Sequence, residues 1–349
     1  MELMKAAVFN GVENMQVKEV PKPICEKDGI LIKVEACSIC GGDIRNFHNG
    51  LRHGIESQIM GHEIGGIIEE IGDEVGFFKK GDRVALAPDV SCGQCVYCKR
   101  GLVNLCNDHK MLGTHWAGGF AQYVYLPKQV WTRGFIEKIP DTMSYDQAAL
   151  AEPASSVIAC QEYNNVKVGD VVVIIGDGPI GCLHIEVARA RGASKIVMVG
   201  LDKLHLVPPF KPDHTIHAIN QDPVKEVLEL TDGIGADIVI CANPVTKTQQ
   251  QAVEMVRKRG RVVLFGGAPK NNAMTTLDSN RIHYNEITVV GAFSYPSNGL
   301  EQAIKYISEG LIHTELYIHN LLPLEHIVEG IAFAETGKGL KVIMKPWNN

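Results

Sequence analysis

The stretch Val171-Val-Val-Ile-Ile175 runs directly into Gly176-Asp177-Gly178-Pro179-Ile180-Gly181. Five apolar residues ending at a glycine turn suit a strand buried on both faces of a parallel sheet. The residues that follow, Pro179–Arg191, read as an amphipathic helix. The glycines fall as G-x-G-x-x-G, in the setting that gives the pattern meaning: a strand before it and a helix after it. Gly176 permits the tight turn, Gly178 lets the backbone approach a pyrophosphate, and Gly181 allows close helix–strand packing. Pro179 suits a first helical position, where a missing N–H costs nothing. The helix start then offers N–H groups and a positive dipole end to phosphates. Glycine turns are common without ligands, but this setting predicts a dinucleotide held by Gly176, Gly178, Pro179, Ile180 and Gly181.

Outward from that turn, apolar strands alternate with helical stretches. Ile196–Val199, Asp237–Cys241, Arg261–Phe265 and Ile287–Val290 read as strands, with helices at Val224–Leu230 and Gln249–Arg257. Such alternation predicts an α/β, doubly wound domain. The first 150 or so residues look different. Short runs (Met4–Phe9, Ile30–Ala36, Ile64–Ile71, Arg83–Ala87, Ala121–Leu126) are separated by Gly, Asp and Pro turns, which suggests a small barrel or sandwich. The pattern changes near Glu152. After Phe293 come helical stretches at Leu300–Ser308 and Leu324–Glu335 and a last strand at Leu340–Met344.

The 349 residues carry 34 basic and 40 acidic side chains, a formal net charge of −6, with no long run of either sign. That excludes the basic stripe of a nucleic-acid binder and the composition of a disordered chain. Apolar runs are too short to span a bilayer. Met1 to Asn10 shows no h-region, so no signal peptide and a cytoplasmic setting are expected. Ten cysteines in such a chain point to metal chemistry and away from a disulfide framework.

Four of the cysteines, Cys92, Cys95, Cys98 and Cys106, are spaced C-x2-C-x2-C-x7-C. Four thiolates satisfy a tetrahedral Zn²⁺ completely and leave no position for water or substrate, so this set predicts a structural zinc. Free thiols or an iron–sulfur cluster are the alternatives, but the C-x3-C-P ending of bacterial ferredoxins is absent. A second set is open. Cys40, with Asp43 close by, and His62-Glu63 lie about twenty residues apart in glycine-rich surroundings. Three ligands would leave a zinc one free position for catalysis. A hydrogen-bonded His–Glu pair, and a redox or buried pair at Cys37 and Cys40, are equally compatible with the residues alone.

Taken together, the chain resembles the zinc-dependent medium-chain dehydrogenases along essentially its whole length, closest to the polyol (sorbitol-like) and threonine dehydrogenase branch. The resemblance rests on Cys37-Ser-Ile-Cys40-Gly-Gly-Asp43, Gly61-His62-Glu63-Ile-Gly-Gly66, Gly81-Asp82-Arg83-Val84, the four-cysteine loop, Gly118-Gly119-Phe120-Ala121, Ala151-Glu152-Pro153 and the turn at 176–181, in the family's order. It implies a GroES-like catalytic domain over 1–152, a Rossmann domain over 153–293, and a segment 294–349 returning to the first, with the site in the cleft between them. It implies catalytic-zinc ligands at Cys40, His62 and Glu63. Glu152 would ligate that zinc or hold its water. It also implies a zinc that lowers the pKa of a substrate hydroxyl and a hydride passed to a nicotinamide. The substrate expected is a small polyol, sugar or sugar derivative, and the assembly a homodimer or homotetramer. Reduction of simple aliphatic ketones, threonine-type oxidation, or a non-enzymatic relative are the rival readings.

Three departures bear on function. Gly42 stands where many relatives have a Ser or Thr hydroxyl that passes the proton outward. Some relatives carry a relay histidine in the segment where this chain has Arg45, and a guanidinium there suits carboxylate, phosphate or sugar hydroxyls. Pro208-Pro209 prevents the regular helix usual after the second Rossmann strand. That strand ends at Gly200, where NAD enzymes place an acid on the adenosine ribose. Glycine leaves room for a 2′-phosphate, but no arginine follows. Asp202, two residues on, is expected to take the acid's role, which favours NAD over NADP. Phe47, His48, His53, Trp116, Phe293 and Tyr295 are cleft candidates by position, against the simpler reading of packed rings and solvated charges. His205, His214 and His217 read as surface loop, and Cys160, Cys182 and Cys241 as small buried residues.

Overall fold

The computed structural model describes residues 2–51 and 54–348 and divides into two compact units. One runs from the N-terminus to Ser155 and resumes at Tyr295; the other spans Ser156–Ser294. The first begins with β1 (Leu3–Phe9), β2 (Met15–Pro21), β3 (Ile30–Ser38) and α1 (Gly41–Asn49). Next come β4 (Gln58–Ile59), β5 (Glu63–Ile71), β6 (Arg83–Ala87) and β7 (Asp89–Val90). β8 (Lys110–Met111), β9 (Tyr123–Leu126), α2 (Lys128–Arg133), β10 (Phe135–Lys138), α3 (Tyr145–Ala149) and α4 (Ala151–Tyr163) follow.

The second unit holds β11 (Val171–Ile175), α5 (Pro179–Ala190), β12 (Lys195–Gly200), β13 (His214–His217), α6 (Pro223–Glu229) and β14 (Ala236–Cys241). It ends with α7 (Thr246–Met255), β15 (Val256–Leu264), α8 (Ser279–Tyr284) and β16 (Thr288–Gly291). The strands pair in parallel in the order β13-β12-β11-β14-β15-β16. This is the doubly wound order, whose direction switches between β11 and β14 and places ligands beyond the carboxyl end of β11. Between β12 and β13 the chain makes two 3₁₀ turns, Leu204–Leu206 and Pro208–Phe210. Pro208 and Pro209 can neither donate the N–H groups nor adopt the continuing geometry of a crossover helix.

The chain then adds α9 (Gly299–Ser308), β17 (Ile318–Pro323), α10 (Ile327–Glu335) and β18 (Lys341–Lys345) to the first unit. β18 lies antiparallel to β3, pairing Ile343 with Ser38 and Met344 with Cys37. The resulting sheet runs β10-β6-β5-β3-β18-β17, with β9 also on β3, while β2-β1-β4 and β7-β8 form smaller sheets. Leu324, Ile331, Val342 and Met344 share one core with Ile30, Ile32, Ile64 and Phe120. The last fifty residues thus complete the hydrophobic interior that the first hundred begin.

Candidate functional site

Cys40 is the N-cap of α1. Its Sγ accepts the Gly42 N–H at 3.4 Å, and Asp43 Oδ2 accepts the Cys40 N–H at 3.0 Å. This reciprocal arrangement is a capping box with a thiol in place of the usual hydroxyl. Pairing of Ser38 on β3 with Glu63 on β5 brings the His62-Glu63 step beside it. Cys40 Sγ, a ring nitrogen of His62 and a carboxylate oxygen of Glu63 all lie within 4.8 Å of one another. His62 Nδ1 sits 3.3 Å from Asp43 Oδ1. Nε2 is therefore left for a ligand, the arrangement in which an outer carboxylate orients a metal-binding histidine.

Glu63 is fully buried, and its two oxygens have different surroundings. Oε2 accepts from Lys341 Nζ at 2.5 Å, and the same ammonium donates to Ile39 O at 3.1 Å. Oε1 has no hydrogen-bond partner among the described residues. A buried, unpartnered carboxylate oxygen is costly unless a cation meets it. Burial works against a charged His62, but Asp43 and Cys40 outweigh it and hold the ring's pKa well above its ordinary value. Burial likewise opposes the Lys341 ammonium, and Glu63 overcomes it. The donor set, one thiolate, one imidazole and one orphaned carboxylate oxygen, therefore fits a zinc ion with one position open.

Glu152, at the start of α4, stands outside the 4.8 Å ligand group. Burial pushes its carboxyl up to about 7. Tyr295 Oη donates to Glu152 Oε1 at 3.1 Å, and the Tyr295 ring is itself buried edge-on to Phe135.

The four cysteines of the loop also converge, with all four sulfurs within 4.8 Å. Cys95 Sγ is 3.5 Å from Cys98 Sγ and 4.0 Å from Cys106 Sγ, and Cys92 Sγ is 4.0 Å from Cys98 Sγ. A tetrahedron with Zn–S bonds of about 2.3 Å has S···S edges of about 3.8 Å, so the spacing fits zinc. Backbone N–H groups stabilise negative sulfur here. Those of Cys98 and Asn107 lower the Cys95 thiol to about 6. Burial instead raises Cys106 to about 12.

In the second unit the glycine turn has the geometry its spacing requires. Gly176 has φ +126°, a conformation side chains disfavour. A Cβ on Gly181 would lie 1.7 Å from the Gly176 carbonyl oxygen. Gly178 caps α5, and Pro179 is its first residue. The space beside Gly200 differs from expectation. It is not open for a phosphate, because the Asp177 side chain fills it. Asp202 lies exposed in the turn that follows β12.

Arg45 is exposed on α1, and its Nη2 is 4.0 Å from where a Gly42 Cβ would stand, a point 3.7 Å from Cys40 Sγ. His48 is held between Glu13 and Glu335, each 3.0 Å away. Phe47 is buried in the core, Trp116 packs against it, and Phe293 is exposed. His53 lies outside the described residues. His205 and His214 are exposed and belong to no ligand cluster among the described residues. Cys37, Cys160, Cys182 and Cys241 are buried thiols. Two partners escaped the sequence reading. Lys341 lies 278 residues from Glu63 and leaves no local signal. Asp177 sits inside the glycine turn, where its position is usually read as variable.

The chain is similar to known proteins along nearly its whole length. Residues 26–141 match the family described as alcohol dehydrogenase GroES-like domain, and residues 179–309 the family described as zinc-binding dehydrogenase. Sorbitol dehydrogenase of Bacillus subtilis (strain 168) is 34% identical, over 98% of this chain and 97% of that protein. D-arabitol-phosphate dehydrogenase of Enterococcus avium is 31% identical, over 96% and 95%. A crystal structure named as a zinc-binding dehydrogenase from Sinorhizobium meliloti 1021, bound to NADP, superposes with a TM-score of 0.92 at 29% identity, covering 99% of this chain and 100% of that one. The chain therefore belongs to the zinc-binding dehydrogenases, zinc-dependent oxidoreductases that move a hydride between a secondary alcohol and a nicotinamide coenzyme.

Proposed function

We propose that this protein oxidises a secondary hydroxyl of a polyol or sugar derivative with NAD, using one zinc at Cys40, His62 and Glu63 and a second, structural zinc at Cys92, Cys95, Cys98 and Cys106. The observation that carries the reading is the convergence of Cys40, His62 and Glu63, whose buried Oε1 has no partner among the described residues. When bound, the zinc supplies Lewis acidity that brings a hydroxyl's pKa toward neutrality, and the nicotinamide supplies a hydride acceptor. The protein's residues do the rest. Asp43 fixes the His62 ring, and Lys341 holds Glu63 Oε2, which leaves Oε1 for a ligand. Gly42 has no hydroxyl to pass a proton outward. Glu152, oriented by Tyr295 Oη, takes that proton directly or through water. The similarity to sorbitol and arabitol-phosphate dehydrogenases supports a polyol, and a soluble homo-oligomer is part of the same reading.

The test is NADH formation by the zinc-loaded enzyme over sorbitol, xylitol, arabitol, 2,3-butanediol and threonine. Turnover of the polyols, lost in Cys40→Ala and His62→Ala, is the expected result. Turnover confined to threonine or to simple aliphatic alcohols would overturn it. One observation favours a narrower substrate, a polyol bearing an anionic group. Arg45 stands beside the open ligand set and pairs with no carboxylate among the described residues. A guanidinium suits phosphate or carboxylate. Sorbitol 6-phosphate should then have a KM at least tenfold below that of sorbitol, and Arg45→Gln should erase the difference while leaving sorbitol unaffected. Equal KM values in the parent enzyme would remove this narrower reading.

A further inference from the structure

The Gly200 position raises a question of charge. A strand that ends in glycine lacks the acid that would hydrogen-bond an adenosine ribose, and ordinarily leaves space for a 2′-phosphate. Here that space is taken by a residue from another loop. The ideal Cβ position of Gly200 lies 2.5 Å from Asp177 Cβ, 2.6 Å from its Cγ and 2.7 Å from its Oδ2. Any side chain at 200 would collide with Asp177, so the two positions are locked together. Asp177 Oδ2 accepts two backbone hydrogen bonds, from Leu201 N–H and Lys203 N–H, both at 2.8 Å. Converging N–H groups of this kind form an anion-binding nest. In this protein the nest already holds an anion, supplied by the chain itself.

We infer that Asp177 is the residue that sets coenzyme choice, its carboxylate occupying the anion nest after β12 and presenting an acceptor to the adenosine ribose. The inference rests on the coenzyme reading of the second unit. It assigns to the glycine turn a task that the end of β12 usually performs. A 2′-phosphate entering this space would meet the Asp177 carboxylate, whose charge the Lys203 ammonium already partly balances, and would find the two N–H donors satisfied. A ribose 2′-hydroxyl, by contrast, is a hydrogen-bond donor. Oδ1 of Asp177 takes neither of these two backbone bonds and is the oxygen that would accept from it. Asp202 is exposed in the turn, where its carboxylate acts on the Lys203 ammonium. Asp177 is held by two bonds and by the absent side chain at 200, so its geometry is fixed before any coenzyme arrives.

The experiment measures equilibrium binding of NADH and NADPH to the full-length, zinc-loaded protein by calorimetry and by nicotinamide fluorescence. The parent protein, Asp177→Asn, Asp177→Ala and Asp202→Ala are compared. Asp177→Asn keeps an oxygen for the Leu201 and Lys203 N–H groups and loses only the charge, so it guards against a collapsed loop. The parent should bind NADH at least tenfold more tightly than NADPH. Asp177→Asn should shrink that ratio at least tenfold, chiefly by tightening NADPH, while Asp202→Ala leaves it within twofold. An unchanged ratio in Asp177→Asn, with a parent that prefers NADH, would overturn the inference and leave the NAD reading standing. A parent that binds neither coenzyme, or prefers NADPH, would overturn the NAD reading itself.

Discussion

Glu63 and Lys341 show how one residue's function depends on another that no local pattern reveals. Both side chains are almost fully buried, and Nζ lies 2.5 Å from Oε2. Removing one partner of such a pair leaves an uncompensated buried charge, which destabilises by about 3–5 kcal/mol, whereas removing both is far milder. Lys341→Met is therefore expected to lower unfolding stability by about that amount. Lys341→Met combined with Glu63→Gln should recover a good part of it. Urea unfolding of the metal-free chains checks this, and additive losses in the double variant would show that the pair is not coupled. Residue types and spacing mark Cys40, His62 and Glu63 as a possible mixed donor set but fit a hydrogen-bonded pair and a buried thiol equally well, and it is the family resemblance that singles them out as ligands. The sequence concealed Lys341, since a single lysine near the C-terminus looks like any solvated charge. It also suggested that Gly200 leaves an open space, because the residue that fills the space belongs to a different loop.

Among the elements, those with a simple physical signature were legible. β11, β12, β14 and the last three residues of β15 are apolar runs because both faces of a parallel sheet are covered, whereas β15 begins in the charged stretch Arg257-Lys-Arg259. By contrast β2 is hard to see in Met-Gln-Val-Lys-Glu-Val-Pro, most of whose side chains are exposed or half-exposed at a sheet edge. α1 was hidden by Gly41-Gly42, which reads as a turn until the Cys40–Asp43 capping box is known. α5 carries a less visible burden. His184 is wholly buried, with Gln161 Nε2 2.8 Å from its carbonyl oxygen and 3.1 Å from Nδ1. Burial lowers its pKa to about 3. A histidine held neutral in the folded state contributes stability that is full above its unfolded pKa of about 6.5. That stability falls as pH drops from there toward 3, because the unfolded chain gains the proton first. At pH 5 the loss is about 2 kcal/mol. His184→Gln should accordingly show a pH 7-to-5 stability difference smaller by about 2 kcal/mol than the parent's. An identical difference in the two proteins would remove His184 from the account.

At the scale of the molecule, the closed and open ligand sets ask for different responses to metal removal. The four-cysteine loop lies between β7 and β8, a two-stranded sheet only two residues deep, with two short 3₁₀ turns inside it. So little regular structure cannot hold a loop of this length, and a metal that ligates four sulfurs contributes folding free energy directly. The Cys40 set is supported differently. Its ligands are the N-cap of α1 and the His62-Glu63 step that opens β5, and both elements pack on a core completed by β18, so the fold there depends less on the ion. Purified, unchelated protein should contain about two equivalents of zinc, and mild chelation should remove the three-ligand ion first, because fewer protein ligands hold it. At the one-equivalent stage turnover should be absent while the melting temperature stays near that of the loaded enzyme. Cys95→Ser should behave in the opposite way, lowering the melting temperature by roughly 5 °C or more. Cys40→Ala should retain one equivalent and melt closer to the parent than Cys95→Ser does, losing the α1 cap but not the loop's metal. Elemental analysis paired with thermal melts along a chelator titration reads both sites at once. If Cys95→Ser melts with the parent, or if Cys40→Ala still binds two equivalents, the division of the two sites into a structural and a catalytic one is wrong.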